Sequence, residues 1–319
     1  MKNFFIRLAL LVGVGFLCPI LGIAAPLSGT YTIDATSTAS NNYTSVTAAV
    51  SDLYSQGVNG AVTFVIADGT YTGQVSFNGA ITGASSTNTI LFQSKSADAT
   101  KAIITNSGTY TIYMSAADYV SFEDLTFRTT QTGTRYVVYL TGNADNNRFE
   151  RCIIEGPRNT SYSSYSVYCY QSEFNTWKDC EVDGNYWGFR FYGWSDSNCA
   201  EDNVVDGCEI SGHYYYGIYA YYQEGITIKG CTVDSAQTGI GYGLYHYRSH
   251  SSLIDGNTLN TGYYPLYIGY SNYYYTGDTI RVHNNSAGNG RYYGAYNNRT
   301  DMVNYYHNSF EGNDRYEAF

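Results

Sequence analysis

From about residue 120 the apolar positions follow one short pattern: an apolar residue, two others, a small or polar residue, one more, and a second apolar residue. The copies are FEDLTF (122–127), FERCII (149–154), WKDCEV (177–182), VDGCEI (205–210), IKGCTV (228–233), IDGNTL (254–259), VHNNSA (282–287) and YYHNSF (305–310). Their fourth positions form a column, Leu125, Cys152, Cys180, Cys208, Cys231, Asn257, Asn285 and Asn308, spaced 23 to 28 residues apart. A period near 25 that varies by insertion marks a solenoid, a constant coil carrying loops of different length. Six of the eight third positions are Gly, Asp or Asn, the types that tolerate the left-handed backbone of a sharp corner between two strands.

A second pattern lies between these copies: YVVYL (136–140), YSVYCY (165–170), WGFRFY (187–192), YGIYAYY (216–222), YGLYHY (242–247), YPLYIGY (264–270) and YGAY (293–296). Alternation predicts a strand with Val138, Val167, Phe189, Ile218, Leu244, Leu266 and Ala295 facing in. Tyr139, Tyr168, Arg190, Tyr219, Tyr245, Tyr267 and Tyr296 then face out. A second outward row is Tyr170, Tyr192, Tyr221 and Tyr247, extending to Tyr270. No unit shows a helical period.

Three short strands per turn describe an all-β parallel β-helix. On these repeats the chain resembles the right-handed β-helix of the pectate-lyase-like superfamily, over residues 30–319. The resemblance implies architecture and leaves activity open, because that fold carries lyases, hydrolases, adhesins and spikes. NYTSVTAAVSDLYSQGV (42–58) places Val46, Val50 and Leu53 on one helical face, with Thr44 or Ser45 as N-cap. A helix there caps the open apolar end of the coil, and this opening resembles the N-terminal cap of secreted bacterial β-helix proteins. Residues 25–110 are read as cap and first rungs, and 111–319 as the repeats. NDRYEAF (313–319) begins another strand, with Ala318 in the inward register, and stops, so the chain reads as a fragment of a longer protein.

The N-terminus adds a location. Lys2 and Arg7 precede an uncharged apolar run, Leu8 to Leu21, and Gly22-Ile23-Ala24 supplies small residues, so residues 1–24 read as a secretory signal peptide. No other segment is expected to span a membrane. The 319 residues carry a net charge of -10, which becomes -12 when cleavage removes Lys2 and Arg7. An acidic chain repels phosphate backbones, which argues against a nucleic-acid partner.

Candidate chemistry is sparse. The stacked cysteines are close enough in Cα separation for disulfides, but side chains in register point the same way, so a ladder of small core residues is the plainer reading; the redox state stays open. No Cys-x-x-Cys or His spacing supports a metal, and no cofactor is expected. Carboxylates are nearly absent from the outward positions of the tyrosine strands, which argues against a glycosidase. Arg190, Tyr219, Tyr245 and His246 are the candidate set for a polysaccharide lyase, with His246 alternatively inward and Arg248 and His250 in a loop. SDSNCAEDN (195–203) reads as an acidic solvated insertion, with cation binding as the alternative.

The chain holds 37 tyrosines, and their outward rows predict an aromatic strip about 30 Å long at ~4.8 Å per rung. Tyr offers an apolar ring and a hydroxyl at low entropic cost, and sugar C–H faces stack on such rings. The strip, Tyr139, Tyr168, Tyr170, Arg190, Tyr192, Tyr219, Tyr221, Tyr245, Tyr247, Tyr267 and Tyr296, is thus the candidate binding surface. A polysaccharide or cell-surface glycan, or else a protein surface, is its expected partner. The leading expectation is a secreted, non-catalytic adhesin or polysaccharide-binding module. A lyase acting on an acidic glycan at the same face and a structural stalk are the alternatives.

Overall fold

The computed structural model describes residues 25–133, 135–158, 160–234, 241–272, 278–312 and 316–318. The segment read as a signal peptide lies outside the described residues.

The chain winds into parallel coils, each adding one strand to each of three sheets of 12, 10 and 10 strands. One coil runs Arg148–Glu150 on the first sheet, Ile153–Glu155 on the second and Ser164–Tyr170 on the third, and the next repeats it with Thr176–Lys178, Glu181–Asp183 and Trp187–Tyr192. Within each of these sheets, strands other than those at the two ends pair in parallel with the equivalent strands of the coils before and after. This is a right-handed parallel β-helix, the hand expected for parallel crossovers.

The corner between the first and second sheets explains the six-residue motif. All eight third positions adopt positive φ: Asp124, Arg151, Asp179, Gly207, Gly230, Gly256, Asn284 and His307. Arg151 and His307 do so without the freedom of Gly or Asn. Arg151 is held there by ion pairs to Asp124 (2.8 Å), Glu150 (2.6 Å) and Glu123 (3.2 Å).

Inside the corner, the fourth positions stack and are buried from Leu125 through Asn285. Cys152, Cys180, Cys208 and Cys231 are free thiols. Each donates to a carbonyl, as Cys152 Sγ does to Glu150 O (3.4 Å) and Phe122 O (3.5 Å). Burial pushes the Cys180 thiol well up, and for Cys208 the hydrogen bond with Cys180 does so ahead of burial. From Cys231 onward asparagine continues the column. Asn257 Oδ1 accepts from Cys231 N (2.9 Å), and Asn257 Nδ2 donates to Ile228 O (2.9 Å). A second asparagine column, which periodicity missed, lines another corner: Asn147, Asn175 and Asn203 each accept from the preceding coil's backbone and donate to its carbonyl. These bonds satisfy backbone groups at turns that would otherwise be orphaned away from water.

The core is a set of inward columns. Phe64, Phe92, Phe122, Phe149 and Trp177 stack face to face with centroids 4.7 to 5.7 Å apart. The first end is closed by helix α1, Val46–Gln56, which buries Val46, Ala49, Val50 and Leu53 and whose N-cap, Ser45, accepts from Ala48 N. At the other end, Tyr316–Ala318 pairs with the strand at Tyr293, putting Ala318 in register with inward Ala295.

Candidate functional site

The third sheet carries the tyrosines, and its outward surface has three aromatic columns where sequence alternation gave two. The central column is the expected row Tyr139, Tyr168, Arg190, Tyr219, Tyr245, Tyr267 and Tyr296 in register, with Tyr113, which that row did not include, before it. Beside it lie Tyr170, Tyr192, Tyr221 and Tyr247. Tyr247 pairs with Gly269, so Tyr270 does not extend that column as a strand position; its ring still lies 5.4 Å from Tyr247.

The third column, Tyr110, Tyr136, Tyr165, Trp187, Tyr216, Tyr242, Tyr264 and Tyr293, was missed. Strict alternation assigns these rings to the core. The strand instead bends, with two consecutive buried residues, such as Val137 and Val138 or Gly217 and Ile218, between outward rings. In the middle coils the bend brings backbones so close that glycine is required: a Cβ on Gly217 would lie 2.7 Å from Gly243 O and 2.4 Å from Val233 Cγ1. The available signal was the recurring i, i+3 spacing of aromatics, as in YGIY and YGLY.

The rings stack on one another. Trp187 and Tyr216 are 4.4 Å apart and 8° from parallel, Tyr219 and Tyr245 5.2 Å and 4°, and Tyr245 and Tyr267 4.4 Å and 6°. Ring faces are therefore largely taken up within the ladder, and the surface presents ring edges and hydroxyls. That corrects the expected open strip: Tyr267 retains 9 % of its surface, and its hydroxyl accepts from Asn298 Nδ2 at 3.0 Å. Burial raises the pKa of Tyr219 to about 12 against the opposing charge of Arg190, and raises Tyr216 and Tyr245 further. The hydroxyls stay neutral, able to donate and accept.

Arg190 interrupts the central column. Its guanidinium lies 4.9 Å from the Tyr168 ring centroid, 4.7 Å from Trp187, 5.1 Å from Tyr192, 5.4 Å from Tyr165 and 6.0 Å from Tyr219, and Nη1 donates to Tyr165 Oη at 3.0 Å. Arg248 stands over Tyr247, Arg291 over Tyr263 and Tyr292, and Arg299 over Tyr270.

The candidate lyase set is not brought together. Arg190, Tyr219 and Tyr245 share the outer face, but His246 points inward between Ala220 and Ile268, fully buried. Its ring nitrogens bond Ser271 Oγ (3.0 Å) and Ser252 Oγ (2.8 Å), and burial, with His250 nearby, lowers its pKa to about 3. His246 is thus a neutral core residue because alternation within YGLYHY puts it beside Leu244. His250 is likewise buried, although it lies between strands.

The acidic insertion is more ordered than a solvated loop. Ala200–Glu201 pairs in parallel with Gln223–Glu224, and Asp196 bridges to Arg248 (3.2 Å), which also donates to Tyr222 Oη (3.3 Å).

The fold defines a right-handed parallel β-helix of the kind found in polysaccharide lyases. An alginate lyase from Paenibacillus sp. str. FPU-7 superposes with a TM-score of 0.55 at 13% identity, over 84% of this chain and 96% of that one. The pectate lyase Pel9A gives 0.56 at 14% identity over 90% and 81%, and a rhamnogalacturonan lyase 0.54 at 15% over 83% and 75%. At these identities the likeness is one of fold. Residues 143–316, more than half of the chain, match the family described as periplasmic copper-binding protein (NosD), and the chain belongs to that family. No curated protein sequence matches it.

Proposed function

We propose that this protein is a non-catalytic carbohydrate-binding β-helix that acts outside the cytoplasm, as an adhesin or polysaccharide-binding module, through its tyrosine face. The observation that carries this reading is the three-column aromatic surface of the third sheet. Along the strands from Val75–Asn78 to Tyr293–Asn298 it contains no carboxylate. Rows of neutral hydroxyls at rung spacing offer repeated donors and acceptors to an extended glycan, and ring edges offer apolar contact. A lyase at the same face has less support. It loses His246 to the core, and the raised tyrosine pKa values disfavour a tyrosinate base. The ladder also stiffens the coil, as a stalk requires.

The family's description names copper. Among the described residues no three His, Cys, Asp or Glu side chains gather to hold a metal ion. The buried thiols are tied to carbonyls, and His246 is committed to two serines. The residues present do not fit a copper centre, and no copper chemistry is assigned. Among the described residues no helix is long and apolar enough to cross a membrane.

The test is retention of the purified protein on a broad panel of immobilised glycans. Binding to at least one is expected, weakened by Tyr192→Ala with Tyr221→Ala in the outermost column while the melting temperature shows the variant folded. Absence of retention on every glycan would sink the reading.

A further inference from the structure

Arg190 sits at the middle of a line of aromatics that crosses the face within one coil. On one side Trp187 lies under the guanidinium and donates its Nε1 proton to Tyr162 O at 2.7 Å. On the other side Tyr192 is 5.1 Å away, and Trp194 follows, 6.4 Å from Tyr170. Tyr162 and Trp194 are the most exposed large apolar side chains among the described residues, at 72% and 62%. Elsewhere on the sheet the ring faces are spent on the ladder. Both exposed rings belong to segments that touch the ring cluster around the cation, Tyr162 through its carbonyl on Trp187 and Trp194 through Tyr170.

The cation itself is under-used. A guanidinium carries five N–H donors; one meets Tyr165 Oη, and Nε is buried without a partner. Among the described residues no carboxylate bridges Arg190, whereas Arg128, Arg148, Arg151, Arg158, Lys178, Lys229 and Arg248 all have one. Five rings within 6.0 Å hold the positive charge by their π faces and keep water from surrounding it. In such surroundings an oxyanion gains strong charge-assisted hydrogen bonds.

We propose that the coil of Arg190 is a specificity subsite that binds one anionic saccharide unit, its carboxylate or sulfate on the guanidinium and its neighbours against Trp194 and Tyr162. The subsite rests on the glycan-binding reading above and adds to it the charge of the ligand and the coil at which it is read. The rest of the tyrosine face contributes contacts indifferent to charge.

The experiment compares three immobilised polymers: polygalacturonate, its fully methyl-esterified neutral form, and a sulfated galactan. The wild type is expected to bind a charged polymer about tenfold more tightly than the neutral ester, the scale of one hydrogen-bonded ion pair. The polymer that wins tells carboxylate from sulfate. Arg190→Gln is expected to abolish that preference, read as the ratio of charged to neutral binding, and Arg190→Lys to keep part of it. Trp194→Ala, on the exposed rim, should weaken charged and neutral polymers alike. Equal binding of charged and neutral polymers, or a preference that survives Arg190→Gln, would overturn the subsite and leave glycan binding standing. No retention on any of the three overturns the subsite, and the broad glycan panel then decides glycan binding separately.

Discussion

The first and third sheets are built from the same coils at the same rung spacing, yet their outer columns solve stacking in opposite ways. On the first sheet the column runs Glu123, Glu150, Lys178, Asp206, Lys229 and Asp255. Charges in register must alternate or be bridged. Lys229 reaches Asp206 at 3.2 Å, and Arg151 spans the two adjacent glutamates. On the third sheet tyrosine stacks on tyrosine, because a neutral ring tolerates a copy of itself above and below. The difference bears on function. The charged column finds its partners within the molecule, and little is left for a ligand. The tyrosine column spends its ring faces but keeps its hydroxyls, and Arg190 keeps its charge.

The largest expected effect comes from breaking the aromatic ladder. Tyr245→Ala removes a ring stacked between Tyr219 and Tyr267, and a loss of about 2–3 kcal/mol is expected in denaturant unfolding, below the cost of a fully buried aromatic. A loss no larger than an exposed substitution produces would mean that the stacking carries little of the fold's stability.

Lys229→Glu tests the other side. It places three acids in register, Asp206, Glu and Asp255, and is expected to cost on the order of 1 kcal/mol, since Lys229 is well exposed. In 1 M salt this cost should largely disappear, because the screening length falls to about 3 Å. The cost of Tyr245→Ala should not change with salt. Equal salt sensitivity of the two variants would erase the distinction between the sheets.

The smallest effect lies in the turns between them, where Asp118, Asp145 and Glu173 succeed one another without a basic partner among the described residues. Asp145 Oδ1 accepts from Glu173 N (2.8 Å), and burial, with the charge of Asp118, raises its pKa. A carboxyl raised in the folded state opposes folding at neutral pH, and the penalty fades as pH falls through its folded pKa. Glu150 on the charged sheet is the reverse. Burial works to raise it, but the hydrogen bond and charge of Arg148, with Arg151 and Lys178, hold it low, so its contribution is present above its unfolded pKa and lost in acid. Asp145→Asn keeps the acceptor and should raise the melting temperature slightly at pH 7 and not at pH 3. Glu150→Gln should lower it at pH 7, with the difference shrinking in acid. An Asp145→Asn effect that is the same at both pH values would place its origin in packing rather than charge.

Much of this was legible along the chain. The 23-to-28-residue period, the inward columns, the left-handed corners and the Ser45-capped helix follow from local patterns, because burial, backbone sterics and capping act within a few residues. The central tyrosine column was legible for the same reason. Other features were decided only by the tertiary structure. Tyr136, Tyr165, Tyr216 and their column face outward because the strand bends at paired inward residues, a bend fixed by contact with the coil below. The ring faces are closed because their neighbours come from adjacent coils. Asp196 meets Arg248 from two coils away. Tyr162 meets Trp187 because a turn of one coil lies against the strand of the next. Alternation assigns a side chain to a face; what touches it there is set by residues a full coil distant, and that distance is invisible to a local pattern.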